Sequence, residues 1–289
     1  MSNDLKNTSP AALQKAAGFS KEARRLREVN LRRRSIFIAT LSTVVVFLAI
    51  YILVPLAPGW EKVKLSFFNW EIFVKTFPTL LTAFLQDIMI FAWSAPMIAI
   101  WGLIIALMRD ARSPALFPLR LFGTIYNDVF RGVPVILAIY LIGFGIPGLG
   151  LPRPWNSPYI WGTVALVLSY SAYVAEVYRA GIESIHESQR AAAKSLGLSH
   201  WDIMRFVILP QAIRRVIPAN MNNLISLQKD VALLSFIGPV ELLRQAGVFK
   251  SFFANFTPYL GASVIFLAVT IPATRLADRM MARQDKQRR

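Results

Sequence analysis

Residues 36–56 read IFIATLSTVVVFLAIYILVPL, an apolar run without a single charge. That run is long enough to cross a lipid bilayer as a helix. It starts too far from the first residue, and is too long, to be the apolar stretch of a cleaved leader, and it lacks a small-residue cleavage site. Further runs follow at 80–108, 121–144, 159–178, 217–239 and 259–276. With 55% hydrophobic residues, only 17% charged residues and a mean hydropathy of +0.47, the chain lies outside the range of soluble domains. The expected fold class is an all-α integral membrane protein with about six transmembrane helices. The second run, at about 44 Å if straight, exceeds a hydrocarbon core of about 30 Å. Either Pro96 kinks it or its start lies along the interface.

Charge placement orients these spans. Residues 1–35 hold nine Lys and Arg, the 109–120 loop three, the 179–215 stretch six and the tail from Arg275 six, making 24 on one side. The other side has six: Lys62, Lys64, Lys75, Arg153, Arg244 and Lys250. Such a bias places both termini and the 179–210 stretch in the cytoplasm. The net charge of +16 then reflects orientation and attraction to anionic membrane lipid rather than nucleic acid. Cysteine is absent, which excludes disulfides and thiolate chemistry. His186 and His200 have no partner at metal-ligand spacing, so no metal site is expected.

The organisation reads as a basic arm (1–35), a first span (36–56), an external segment (57–78), a core (79–276) and a basic tail (277–289). No internal repeat is visible, whereas a single-chain secondary transporter usually shows two related halves. Within the core, residues 179–210 form a soluble-looking hairpin between apolar segments. Ala191, Ala192, Ala193 and Leu196 are expected to put a small apolar face on a short helix, which Gly197 ends. Ser199 offers an N-cap with Asp202 three residues on. An apolar stripe of Ile203, Phe206 and Val207 is expected to continue until Pro210. A small-residue helix in water suits either a groove on a partner or the protein's own spans.

Ionisable residues at membrane depth are functional candidates because an unpaired charge there is costly. They are Asp87, Asp128, Arg131, Glu176, Lys229 and Asp230. Asp128 and Arg131 are one turn apart and suited to pairing, as are Glu176 and Arg179. The fifth run also carries Asn222, Asn223, Gln228 and Ser235, so most of its sides cannot face lipid. Lys229, the asparagines and Asp230 are the group types a zwitterionic solute needs.

The hairpin resembles the coupling loop of bacterial ATP-binding-cassette importer permeases, whose signature is EAA, three residues, Gly, nine residues, Ile, one residue, Leu-Pro. Here it falls on Ala191, Ala192, Ala193, Gly197, Val207, Leu209 and Pro210. Ala191 replaces the glutamate and Val207 the isoleucine, with Glu187 one turn earlier as a substitute acid. DVFRGVPVILAIYLIGFGIP, AYVAEVYRAGIESI and ILPQAIRRVIPANMNNLISLQKDVALLSFIG resemble segments of the polar amino-acid permeases, and the likeness covers roughly residues 78–276. Val133, Ala138, Asn223, Val231 and Ala232 depart from that pattern. The resemblance implies a five-helix type I importer core plus one N-terminal span, in the bacterial cytoplasmic membrane. It implies two ATPase subunits, a second permease, identical or paralogous, and an external solute-binding protein. The transported ligand would be a polar amino acid or related small solute. The chain has no phosphate-binding GxxxxGK[ST] loop, so ATP and magnesium would sit on the ATPase partners and this chain would carry no cofactor or catalytic residue. A stand-alone channel or carrier, or a membrane-anchored scaffold, are the competing readings.

Overall fold

The computed structural model describes the backbone of residues 10–111 and 113–287, and side chains within 31–111 and 113–282. It divides into two units, residues 1–65 and 66–289. In the first, α1 (Pro10–Leu53) is a single 44-residue helix. The expected arm and first span are thus one rod from Pro10 onward, the first nine residues lying outside the described part. Its apolar portion, Leu31–Leu53, is 23 residues long, and none of it is buried. A helix apolar all round and exposed all round is stable only in lipid.

A short helix, α2 (Trp60–Phe67), precedes the 41-residue α3 (Trp70–Asp110). Asn69 caps α3 by accepting from the Ile72 N–H at 3.1 Å, and is itself held by Thr257 Oγ1 at 3.0 Å. α3 runs unbroken through Pro78 and Pro96. After a 3-10 turn (Pro114–Leu116) come α4 (Phe117–Gly132) and α5 (Val135–Gly145). A further 3-10 turn (Pro147–Leu149) leads towards α6 (Pro158–Glu183).

The run expected as one span at 121–144 is two helices, bent by 107°. The cause is local: Pro134 has no N–H to donate and disfavours helical backbone at Val133, which is extended at ψ 127°. α4 is the more amphipathic of the pair and carries Arg120, Asp128 and Arg131, whereas α5 is almost wholly apolar.

Past α6 the chain forms α7 (Glu187–Ser195), the single turn α8 (His200–Asp202) and a π-helical stretch (Ile203–Ile208) that flows into α9 (Leu209–Asp230). Pro210 was expected to end the hairpin; instead the helix runs through it. Proline removes one hydrogen bond and crowds the carbonyl four residues back, and the wider π turn just ahead relieves both. A 3-10 turn (Val231–Phe236), α10 (Leu242–Phe253) and α11 (Thr257–Gln287) complete the fold. Among the described residues four helices are long and apolar enough to cross a membrane, or five if the bent pair counts as one. The fifth expected span, 217–239, is helical but too polar to qualify by composition.

In the second unit α6 is the central post. Ala165, Leu166, Tyr170 and Val174 bind it to α3, α5, α9 and the 3-10 turn after α9 through Ile90, Ile98, Ile139, Leu227 and Leu234. At one end α10 and α11 pack on the N-terminal half of α3 through Leu80, Phe84, Leu242, Ala246 and Ile265. At the other end the hairpin closes over Leu107 near the C-terminus of α3.

Close helix approach depends on glycine. A Cβ on Gly181 would lie 2.2 Å from Val216 Cγ1, and one on Gly162 2.1 Å from Ile237 Cδ1. Gly181→Ala should therefore push α9 off α6 and cost about 1–3 kcal/mol, as overpacked cores do. A fall in the melting temperature of the purified protein, with most of it restored by Val216→Ala, checks this.

Candidate functional site

The hairpin has an inner and an outer face. Ile182, Ile185, Ala193, Ile203, Met204, Ile208 and Ala212 form its buried cluster, with Leu198 and Val207 packed against it. The α7–α8 corner is a Schellman turn: Leu198 N–H donates to Ala193 O at 3.3 Å and Gly197 N–H to Lys194 O at 3.0 Å. Gly197 takes φ +79°, the left-handed conformation that turn requires. Ser199 Oγ accepts from the Asp202 N–H at 3.2 Å, as its sequence position indicated. Two further bonds tie the hairpin to α9: Gln211 Nε2 donates to Gln189 Oε1 at 2.7 Å, and Arg215 Nη1 to Ser184 O at 2.7 Å. The elbow is thereby tied to both α6 and α9.

The residues singled out in the sequence divide between the two faces. Glu187, Ala191, Ala192 and Leu196 are exposed, Leu196 at 81%. Ala193 is not part of that face; it turns inward, because three consecutive helical residues spread over about 200°. Val207 and Leu209 are half-buried and Pro210 is exposed. The expected stripe is also corrected: Ile203 is buried but Phe206 points outward, 63% exposed, across the π turn. The outward set gains Trp201, which sequence reasoning passed over. Arg190 was also missed; it is buried on the inner face of α7 and donates to Ile182 O at 3.5 Å. A cleft of about 380 Å³ separates α7 from α8, lined by Glu187, Ala191, Lys194 and His200 among others. Glu187 is free to serve it, being only 4.0 Å from Arg190 in a loose pair.

Glu176 gathers charges from three helices. Arg109 Nη1 lies at 2.7 Å, Arg179 Nη2 at 2.5 Å and Arg131 Nη1 at 3.5 Å from its carboxylate. This knot ties α3, α4 and α6. The expected Asp128–Arg131 pair does not form among the described residues: Arg131 turns to Glu176, and Asp128 is exposed on α4. Arg109, the partner on α3, was invisible to spacing arguments because it is distant in the chain.

α9 presents the other constellation. Its inward face carries Ala212, Val216 and Leu227, with Asn220 and Asn223 half-buried along it and bonded to each other at 3.3 Å. Asp230 is pinned by Tyr170, whose hydroxyl donates at 2.7 Å. Gln228 Oε1 accepts from Thr270 Oγ1 at 3.0 Å, so Gln228 faces α11. The exposed stripe is Asn222, Ser226 and Lys229, at i, i+4 and i+7. Of the residues expected along a pathway, Asn222 and Lys229 thus share one open face, joined by Ser226. Ser235 is buried beyond it.

Asp87, on α3, lines a cavity of about 420 Å³ together with Met221, Ile225 and Gln228 of α9. It is 2% exposed, its oxygens make no hydrogen bond of normal geometry, and it faces Glu241 at the start of α10. Glu241 is fully buried and caps α10 by accepting from the N–H groups of Leu243 at 2.8 Å and Arg244 at 2.7 Å. Burial pushes its carboxyl above the ordinary glutamate range, against the pull of those two donors.

Comparison with known proteins agrees with this architecture. The family described as "Binding-protein-dependent transport system inner membrane component" matches residues 17–287. A probable amino-acid permease protein, YxeN of Bacillus subtilis, is 34% identical over 213 residues, covering 73% of this chain and 93% of that protein. A probable glutamine ABC transporter permease protein, GlnM of the same organism, is 36% identical over 172 residues, 59% of this chain and 77% of that one. A crystal structure of an amino acid ABC transporter with histidines superposes with a TM-score of 0.66 at 32% identity, covering 74% of this chain and 98% of that one. The chain belongs to the family of inner-membrane components of binding-protein-dependent transport systems: it is a membrane-embedded permease of an ABC importer.

Proposed function

We propose that this permease forms the translocation pathway for a polar amino acid or a closely related small solute. ATPase subunits gripping the 187–210 elbow drive it by alternating access. The observation that carries the reading is the division of α9. One end is bolted to the elbow through Gln211 and Arg215, and the other presents Asn222, Ser226 and Lys229 outward. Polar side chains on an exposed stripe at membrane depth need water, solute or a second permease subunit against them. Any displacement of the elbow moves that stripe.

The amino-acid assignment rests on the similarity to proteins named as amino-acid and glutamine permeases. In this reading two ATPase subunits, a second permease and an external solute-binding protein complete the importer. Both termini face the cytoplasm, and ATP with its magnesium is held on the ATPases. The charge bias of 24 to 6 supports that orientation.

Co-expression with the ATPase and binding protein, reconstitution into proteoliposomes and measurement of labelled amino-acid uptake test the proposal. Uptake should require ATP and both partners; uptake persisting without the ATPase would mark a carrier. Lys229→Ala should lower uptake at least about tenfold, as loss of a charge-assisted contact does, without reducing assembly. Unchanged uptake would remove Lys229 from the pathway.

A further inference from the structure

A cleft of about 650 Å³ opens at the end of the core away from the elbow, between α10, α11 and the 3-10 turn after α9. Ser235 and Phe236 contribute from the turn, Arg244, Gly247 and Ser251 from α10, and Tyr259 from α11. Arg244, Gly247 and Ser251 fall at i, i+3 and i+7, on one face of α10. A Cβ on Gly247 would come within 3.2 Å of the Tyr259 hydroxyl, so the glycine leaves the floor open. Arg244 is the charge in this wall, and it is exposed. Among the described residues its guanidinium makes one hydrogen bond, to the Ser235 carbonyl at a long 3.5 Å, and forms no ion pair within 4 Å, although its charge acts on Glu241. Glu241 spends its oxygens on the backbone N–H groups of Leu243 and Arg244.

A guanidinium offers five N–H donors in a fork that matches a carboxylate, and here at most one is used. We propose that this cleft is a carboxylate-binding subsite, in which Arg244 takes the carboxylate of the small solute before it passes Ser235 towards the α9 stripe. Ser251 and the Tyr259 hydroxyl supply further polar contacts, and Phe236 an apolar wall. The inference rests on the amino-acid permease reading. The concave shape suits a small solute better than the flat contact of a docked protein.

The absence of cysteine allows a clean test. Ser251→Cys is introduced into the assembled importer in proteoliposomes. Its reaction rates with a sulfonate-bearing and a trimethylammonium-bearing methanethiosulfonate are then compared. A cation beside the thiol should favour the sulfonate by about tenfold. That preference should vanish in Arg244→Gln and survive in Arg244→Lys, while L-glutamine protects the thiol and L-glutaminamide does not. Equal preference in parent and Arg244→Gln overturns the proposal. So does protection by both compounds, or by the solute-binding protein alone, which would assign Arg244 to docking. A complex that takes up no amino acid but keeps the Arg244-dependent preference would sink the transport reading instead and leave the anion cleft standing.

Discussion

Gly197→Val should reduce ATP-driven uptake by at least about tenfold while the permease still inserts and binds its ATPase, since a β-branched residue at positive φ costs about 1–2 kcal/mol or more. Gly197 sits at φ +79°, and the space a Cβ would enter is open to 4 Å, so no side-chain clash is involved. The penalty is purely conformational, and the Schellman turn is what yields. Without it the Leu198 N–H loses Ala193 O, and Leu198 leaves the cluster that seats the elbow on α6 and α9. The lever then turns without moving the spans. Gly197→Asn, which tolerates left-handed backbone, should retain most uptake, and Gly197→Ala should fall between. Uptake and ATP hydrolysis measured side by side check this: hydrolysis should persist while uptake falls. Full uptake in Gly197→Val would mean the corner transmits nothing.

Glu176→Ala should be the most damaging substitution for stability. Glu176 is the shared anion for Arg109, Arg131 and Arg179, and its side chain is 26% exposed. Removing it leaves Arg109 and Arg179, both largely withdrawn from solvent, without their common counter-ion. Arg179 retains Glu183, but Arg109 keeps no acid among the described residues. Breaking a buried pair on one side typically costs about 3–5 kcal/mol, and partial exposure here reduces that to about 2–3 kcal/mol. The expected result is a melting temperature lowered by several degrees and poor recovery from membranes. Arg109→Ala in the same chain should restore part of the loss, because it removes the stranded charge. Glu176→Ala with wild-type stability would show that the knot contributes little.

Features set by local composition were legible in the sequence. The apolar runs, the basic bias and the Gly197 stop each depend on residues within one or two turns. The Ser199 cap and the Glu176–Arg179 pair at i, i+3 are equally local. Features set by tertiary contact were not. Arg131 had Asp128 within reach along the chain, but the fold offered it Glu176 on another helix. The 107° bend at Pro134 follows a proline that was visible, yet the uninterrupted apolarity after it read as one span. The opposite occurred at Pro210, where a π turn carries the helix onward. Burial of Ala193 and exposure of Phe206 depend on how α7 and the π turn pack on α6. A motif three residues long does not distinguish a face that docks from one that anchors.

That distinction gives the most direct test of the central claim, that the elbow is gripped from outside the chain. Single cysteines at Ala191 and Ala193, in a chain with none of its own, are paired with cysteines on the ATPase surface in membranes actively taking up solute. The outward Ala191→Cys should cross-link to the ATPase and block uptake until reduced, whereas the buried Ala193→Cys should not. Failure of every outward position to join the ATPase, with uptake intact, would contradict the account.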